Sequence, residues 1–88
     1  MNKKIYVANL SFQTSEPEIR TLFSKAGEVT SVKIARDRQT GQPKGFAFVE
    51  MSTQWEARRA ISMINHTEFK GNTLLAKEAT VKRGFGDR

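Results

Sequence analysis

The residues best suited to chemistry in this sequence are aromatic rings set at the spacing of a strand, in the stretch 44–51. A β-strand points alternate side chains to opposite faces, so Phe46 and Phe48 share one face while Val49 and Met51 share the other. The second face is an ordinary core-facing stripe, but two aromatics on the first are unusual where a strand should meet water. Either protein covers both faces, or the aromatic face is open and receives a flat ligand. A chain of 88 residues cannot easily cover both faces of a sheet, which favours the open face.

A third ring lies near the start of the chain, in the apolar segment 5–10. Its apolar residues point to one face, and Tyr6 points to the other. Taken alone, Tyr6 is best explained as a half-buried strand tyrosine with its hydroxyl in water. If the two strands are neighbours, however, Tyr6, Phe46 and Phe48 form one continuous apolar patch, which on a soluble monomer usually marks a binding site. We call these three rings the aromatic platform.

Cations are predicted around the aromatic platform. Those expected on its side of the strands, or just before them, are Lys33, Lys44 and Lys77. Arg36 and Arg38 lie in a segment rich in turn formers, predicted as a mobile exposed loop over 36–45, where they are either solvated or form a basic flap beside the rings. The net charge of +6 favours an anionic partner, either nucleic acid or an acidic membrane surface. A basic surface without such a partner would carry the same charge.

Enzymatic and metal-site chemistry find no support in the sequence. There is no Cys, which excludes a disulfide framework and a cysteine-ligated zinc site. His66 is the only His, so it is better explained as a turn residue than as a metal ligand or catalytic base. Glu16 and Glu18 are explained by the start of a helix rather than by paired carboxylates in catalysis. We therefore expect no catalysis, no cofactor, no metal and no small-molecule substrate.

The sequence also lacks segments that would direct it to a membrane. No apolar run approaches the roughly 20 residues that cross a bilayer. The first residues lack the apolar block of a signal peptide. We expect a monomer without a membrane partner that stays where it is made, in the cytoplasm, or in the nucleus if the source is a eukaryote.

Local patterns predict four strands and two helices around these residues. Ser15 and Glu18 form a capping box that starts the first helix, and Gly27 is expected to end it. Thr53 and Glu56 form a second capping box at the start of the second helix. The predicted strands cover 5–10, 29–35, the aromatic stretch 44–51, and 73–79. Each helix carries one apolar stripe, which predicts an α+β, ferredoxin-like βαββαβ sandwich with both helices on one face of a four-stranded antiparallel sheet.

Two large side chains are predicted to be exposed outside the core. Trp55 lies opposite the apolar stripe of the second helix, where it either covers the stems of Arg58 and Arg59 or marks a protein contact. Leu75 faces the platform side of the last strand, either without consequence or as an extension of the apolar surface. The dipeptide 65–66 is predicted to contain a left-handed residue.

The stretch 44–51 resembles the third-strand signature of the RNA-recognition motif (RRM) family, K/R-G-F/Y-G/A-F-V-x-F/Y. It meets the pattern at every position except the last, where Met51 stands in place of an aromatic and affects only core packing. The segment 5–10 resembles the first-strand signature of the family, in which an aromatic is second and Asn-Leu closes. Together with the element order, the resemblance runs from about Lys4 to Ala79. The chain is similar to single-RRM proteins of bacteria and to glycine-rich RNA-binding proteins.

The resemblance implies a protein that binds single-stranded RNA on the open sheet face, in a post-transcriptional role. Tyr6 and Phe48 would each stack beneath one base, and Phe46 would lie against the sugars between them. Lys44 would pair with a phosphate. The other cations expected to hold the RNA are Lys33, Lys77, Arg36 and Arg38.

The domain expected from the resemblance covers residues 1–80. It is followed by a short basic tail, 81–88, which has too little apolar content to fold alone. Two other functions stay open at this point. One is a protein-binding module of the same fold, and the other is a binder of single-stranded DNA, because stacking does not distinguish the two polymers.

Overall fold

The computed structural model describes residues 3–79, which form a four-stranded antiparallel sheet with two helices on one face and a small separate hairpin. In chain order the elements are β1 (Lys4–Ala8), α1 (Glu16–Ser24), β2 (Val29–Arg36), β3 (Pro43–Met51), α2 (Gln54–Ile64), β4 (Glu68–Phe69), β5 (Asn72–Thr73) and β6 (Leu75–Glu78). The large sheet has the strand order β2-β3-β1-β6. The predicted ferredoxin-like βαββαβ sandwich is confirmed. The predicted tail, 81–88, lies outside the described residues.

One hydrophobic core lies between the sheet and the helices. β1 and β3 pair with Val7 opposite Ala47, so the inward positions of both strands point to the same side. Phe23 and Met51 are fully buried, as predicted. The buried set includes Ile5, Val7, Ala47, Val49 and Met51 from the two strands, Ile19 and Phe23 from α1, and Ala57, Ala60 and Ile64 from α2. Burying each large apolar side chain contributes roughly 1.5–3 kcal/mol, so this layer holds the opposite sheet face in place.

The first helix begins as predicted but ends earlier. The Glu18 N–H donates to Ser15 Oγ at 3.4 Å, and the Ser15 N–H donates to the Glu18 carboxylate at 2.8 Å, which completes the capping box. The prediction that Gly27 ends the helix is wrong, because α1 ends at Ser24. Gly27 instead provides space, since a Cβ at this position would lie 2.5 Å from Glu56 Cγ.

The start of α2 holds two distant segments of the chain together. The Glu56 N–H donates to Thr53 Oγ1 at 3.1 Å, as expected for a helix cap. The Glu56 carboxylate accepts the Glu28 N–H at 3.3 Å and a hydrogen bond from the Ser52 hydroxyl. The bond from Ser52 and then the bond from Glu28 hold the pKa of Glu56 below its usual value. Glu56 therefore joins the α1–β2 turn to the beginning of α2.

The β2–β3 hairpin is longer than predicted, and its loop is shorter. The sequence predicts a loop over 36–45, but β2 continues to Arg36, which pairs with Pro43 in β3. Asp37 organises the turn between them. Its carboxylate accepts the N–H groups of Gln39 and the following residue at 2.8 and 3.1 Å, and these bonds lower the pKa of Asp37. The predicted boundaries are wrong because cross-strand pairing extends both strands beyond their apolar residues.

The chain after α2 forms a small hairpin that the sequence analysis did not predict. The last strand was expected over 73–79, but β6 begins at Leu75, and β5 pairs with β4 in a separate two-stranded sheet. Lys70 and Gly71 form the turn of this hairpin, with φ angles of 55° and 86°. His66 has a φ of 70°, which confirms the left-handed residue predicted after the second helix.

Trp55 lies on the outer surface of α2. Its side chain is 69% exposed, as predicted. The Arg58 guanidinium lies 5.7 Å from the centroid of its ring, so Trp55 covers one of the two arginines that the sequence suggested. This residue is on the helical side of the sheet.

Candidate functional site

Three aromatic rings share the sheet face opposite the helices. The register of β1 and β3 places Tyr6 opposite Phe48, and Ala8 opposite Phe46. The centroid of the Tyr6 ring lies 5.6 Å from the centroids of both other rings, and Phe46 and Phe48 are 6.1 Å apart. The rings are half-buried and tilted against one another by 42° to 89°, so each presents its own surface to solvent. The predicted grouping of the aromatic platform is confirmed.

Lysine side chains lie over and beside these rings. Lys77 is opposite Tyr6 in the β1–β6 register, and its Nζ lies 5.6 Å from the centroid of the Tyr6 ring. Lys4 Nζ lies 5.9 Å from the centroid of Phe48. Lys33 on β2 is exposed and lies opposite Phe48. The structure therefore brings Lys33 and Lys77 to the rings as predicted. It adds Lys4, which the sequence analysis missed although it shares the strand period of Tyr6.

The regular alternation of β3 is interrupted just before its rings. Gly45 has a φ of 90°, a backbone conformation that glycine adopts at little cost, and the register against β2 shifts in this region. Lys44 is the residue directly before this glycine. It is exposed and lines a groove at the end of the aromatic platform, together with Tyr6 and Phe12.

This groove has a volume of about 610 Å³ and lies between the β1–α1 loop and the start of β3. Phe12, which is 68% exposed, rests against Gly45: its nearest ring atom is 3.3 Å from the point where a Cβ would stand. Asn9 has a φ of 67°, and its side-chain amide donates to the Thr73 carbonyl at 2.7 Å, which ties the end of β1 to β5. The sequence analysis missed Phe12 because loops have no period. The available signal was a large aromatic within a polar loop.

A second groove, of about 310 Å³, lies along β6. Its lining residues are Tyr6, Phe48, Lys77, Glu78 and Ala79. Leu75 lies opposite Ala8 in the register of β1 and β6 and is 49% exposed. Apolar surface therefore continues from the rings towards the edge strand.

The two predicted arginines lie at the tip of the β2–β3 hairpin. The Arg36 guanidinium donates to the Gly41 carbonyl at 3.3 Å, and Arg38 is exposed in the turn. Asp37 lies in the same turn. Its lowered pKa comes mainly from backbone hydrogen bonds and to a smaller extent from the charge of Lys44. The arginines thus belong to the hairpin end and not to the ring cluster.

Neither a metal site nor a membrane-spanning helix is found among the described residues. Within residues 3–79, no group of three His, Cys, Asp or Glu side chains could hold a metal ion. Over the same range, no helix has the length and apolar character needed to cross a bilayer.

The chain is similar in sequence to known RNA-binding proteins. The sequence model of the RNA recognition motif matches residues 5–75. RNA-binding protein RbpA of Nostoc sp. is 37% identical to this chain over 82 residues, which cover 93% of this chain and 80% of that protein. The chain spans about half the length, or less, of several other curated relatives that it matches.

Solved structures give the same fold. The crystal structure of RNA binding protein PG1 has a TM-score of 0.86 and 41% identity, over 91% of this chain and 96% of that one. The Sxl-lethal protein in complex with RNA has a TM-score of 0.88 and 27% identity, over 93% of this chain and 49% of that one.

Proposed function

This chain belongs to the RNA-recognition motif family, and we propose that it binds single-stranded RNA on the open face of its sheet. The observation that carries the proposal is the aromatic platform, whose three ring centroids lie within 6.1 Å of one another on the face opposite the helices. The likeness to a protein solved with RNA adds support. A post-transcriptional role is part of the same proposal.

Stacking on the rings is the first part of the proposed mechanism. Tyr6 and Phe48 are cross-strand neighbours, so each can lie beneath one of two successive bases, while Phe46 lies against the sugars. Unpaired bases expose the π-faces that such stacking requires, whereas bases within a duplex do not. Base–aromatic stacking contributes about 1–3 kcal/mol per base.

These magnitudes show that stacking alone is insufficient. Two stacked bases give on the order of 2–6 kcal/mol. A complex with a dissociation constant of 1 μM requires about 8.2 kcal/mol. Contacts with phosphate must therefore supply the rest, and the net charge of +6 is suited to this.

The lysines over the rings provide these phosphate contacts. The ammonium groups of Lys77 and Lys4 lie over the rings of Tyr6 and Phe48 in the free protein. A base that stacks on either ring takes the place of the ammonium group, which then moves outward to the backbone of the same nucleotide. Lys33 and Lys44 extend the positive surface to both sides of the rings. Each of these two lysines thus covers a ring in the free protein and contacts a phosphate in the complex.

A protein-binding module and a binder of single-stranded DNA are the rival functions. A peptide does not need lysines beside every stacking surface, so the cations around the aromatic platform favour a polyanion. DNA differs from RNA at this site only in lacking the 2′-hydroxyl. The cytoplasmic location, the monomeric state and the lack of enzymatic activity stay predictions.

The experiment that tests the proposal replaces two rings. The double variant Phe46→Ala/Phe48→Ala should stay folded, because both side chains point away from the core, and each lost cross-strand pair costs roughly 0.2–1 kcal/mol. The free energy of binding to single-stranded RNA should weaken by at least the contribution of one stacked base, on the order of 1–3 kcal/mol. Fluorescence anisotropy with a labelled oligonucleotide measures the affinity, and circular dichroism measures the thermal midpoint.

Val49→Asp is the matched control on the opposite face of the same strand. Val49 is fully buried, so the variant places an unpaired carboxylate in the core and should unfold the domain. A folded double variant that binds RNA with unchanged affinity would contradict the proposal. An unfolded double variant would show that the rings belong to the core.

A further inference from the structure

We infer that Phe12 is an additional base-stacking residue, and that the groove beside it receives the nucleotide next to those on the sheet. The inference rests on the proposed RNA binding and extends it to a residue outside the sheet. Phe12 lies in the loop between β1 and α1 and is 68% exposed. Among the large hydrophobic residues of the described part of the chain, only Trp55 is comparably exposed, at 69%.

The loop fixes the position of Phe12 although the ring itself is mostly exposed. On one side of it, the Leu10 N–H donates to the Gly45 carbonyl at 2.8 Å. On the other side, Lys70 Nζ donates to the Gln13 carbonyl at 3.1 Å. The backbone on both sides of Phe12 is therefore anchored before any ligand arrives, so little ordering of the loop opposes binding.

Gly45 brings the ring close to the aromatic platform. The nearest ring atom of Phe12 lies 3.3 Å from the position of a Cβ on Gly45, so one edge of the ring rests on bare backbone. Any larger residue at position 45 would crowd this contact, and the φ of 90° would also strain it. Because Gly45 directly precedes Phe46, Phe12 stands immediately beside the platform and leaves the rest of its ring open.

The groove between Phe12 and the platform has the size and chemistry that a nucleotide requires. Its volume of about 610 Å³ falls within the roughly 300–1,000 Å³ that is usual for small-ligand sites. Apolar rings, amides and one cation line it: Tyr6, Phe12, Gln13, Lys44, Phe46 and Asn72. The rings supply stacking surface, the amides can hydrogen-bond a base edge, and the ammonium group of Lys44 can pair with a phosphate.

Continuity with the platform identifies the occupant as the same RNA strand. Tyr6 and Phe46 line the groove and also belong to the platform, so a strand that lies on the sheet passes directly into it. An uncharged peptide would gain nothing from the cation at the rim. A nucleotide gains a phosphate contact at Lys44 and a third stacked base at Phe12.

The test measures affinity against the length of the RNA. Single-stranded oligouridylates of increasing length are titrated into the wild-type protein and into Phe12→Ala, Phe12→Tyr and Trp55→Ala. For long oligonucleotides Phe12→Ala should bind about 5- to 140-fold more weakly, the loss of one stacked base. For the shortest oligonucleotide that still binds, which occupies only the sheet, the variant should bind like the wild type.

The other two variants control for the nature of the change. Phe12→Tyr keeps an aromatic face and should bind long RNA like the wild type. Trp55→Ala removes an aromatic of equal exposure from the helical side and should leave affinity unchanged at every length. Thermal midpoints of all variants show that each is folded.

A spectroscopic measurement reports the contact directly. Trp55 is the only tryptophan, so Phe12→Trp in a Trp55→Phe background carries a single tryptophan in the groove. Its emission should be quenched when a base stacks on it, whereas the emission of Trp55 in the wild type should not change.

Two outcomes distinguish a failure of the Phe12 subsite from a failure of RNA binding on the sheet face. If Phe12→Ala binds every length like the wild type while Phe48→Ala binds more weakly, the groove is not a subsite and the binding face stands. If the wild-type protein binds no oligouridylate, and no mixed-sequence single-stranded RNA, both are overturned.

Discussion

Gly45 has an unusual backbone conformation directly before the first ring of β3. Its φ of 90° interrupts the alternation of β3, and Lys44, the residue before it, lines the groove together with Phe12 and Phe46. The charge of Lys44 also contributes to the lowered pKa of Asp37 in the neighbouring turn. Lys44 is exposed at the border of the platform.

Lys44→Ala should weaken the binding of all single-stranded RNA sequences about equally, because a phosphate contact carries no information about the base. The slope of log K against log salt concentration should fall by about 0.7, the value for one neutralised phosphate on a single strand. Anisotropy titrations at several salt concentrations, with two unrelated oligonucleotides, provide both numbers.

Lys25→Ala is the control for this change of charge. Lys25 is exposed at the end of α1, on the helical side, and its removal lowers the net charge by the same amount. The slope should then stay close to that of the wild type. An unchanged slope for Lys44→Ala, combined with an altered sequence preference, would show that Lys44 contacts a base and not a phosphate.

Among the elements, one carboxylate connects the α1–β2 turn with the start of α2. Glu56 accepts hydrogen bonds from Ser52 and from the Glu28 backbone, and its side chain fills the space that Gly27 leaves free. The α1–β2 turn is thereby tied to the start of α2.

Glu56→Gln should lower the thermal midpoint at neutral pH, because the amide offers one acceptor oxygen where the carboxylate offers two. The pKa of Glu56 is lowered in the folded state, so the carboxylate stabilises the fold above its ordinary pKa near 4.5. This stabilisation is lost as the pH falls through the lower folded value. The difference in midpoint between wild type and variant should therefore be largest near pH 7 and shrink in acid, which thermal unfolding across a pH series measures.

Gly27→Ala provides the structural control for the same contact. The added methyl group meets the Glu56 side chain, so the variant should be destabilised in the wild-type background and less so in a Glu56→Ala background. Equal destabilisation in both backgrounds, or a midpoint difference for Glu56→Gln that does not vary with pH, would show that this contact does not stabilise the fold.

In the molecule as a whole, one face of the sheet packs against the core and the other is exposed to solvent. One face is covered by α1 and α2 and contains the core, and the other carries the rings and their lysines. The platform is narrow and its stacking surfaces point outward. It suits unpaired bases and is poorly suited to a duplex, in which each base is already stacked on its neighbours.

Labelled single-stranded RNA, single-stranded DNA and duplex RNA should therefore bind with different strengths. We expect the single-stranded RNA to bind much more tightly than the duplex, and the affinity to fall as salt concentration rises. Titration of the three ligands at two salt concentrations tests this. Equal affinity for RNA and DNA single strands would show that the 2′-hydroxyl is not recognised, and tight duplex binding would contradict stacking on the platform.

Local patterns in the sequence predicted the order of the main elements, without the β4–β5 hairpin, and the two faces of the central strands. Tyr6, Phe46 and Phe48 could be assigned to one face and Val49 to the other because the alternation of a strand is a local property. The helix start at Ser15 followed from a capping box within four neighbouring residues. Strand alternation and helix capping depend only on residues within a short segment, so the folded chain retains them.

Which distant residues contact one another depends on the packing of the folded chain. Glu56 fills the space beside Gly27, Phe12 rests on Gly45, and Asn9 is bonded to a strand far along the chain. The end of α1, the extension of β2 and β3, and the β4–β5 hairpin likewise depend on pairing with other segments. No local period encodes such contacts, because the space and the hydrogen-bond partners exist only after the segments have packed. The aromatic platform was therefore visible in the sequence, whereas the groove beside it came from the packing of a loop against a strand.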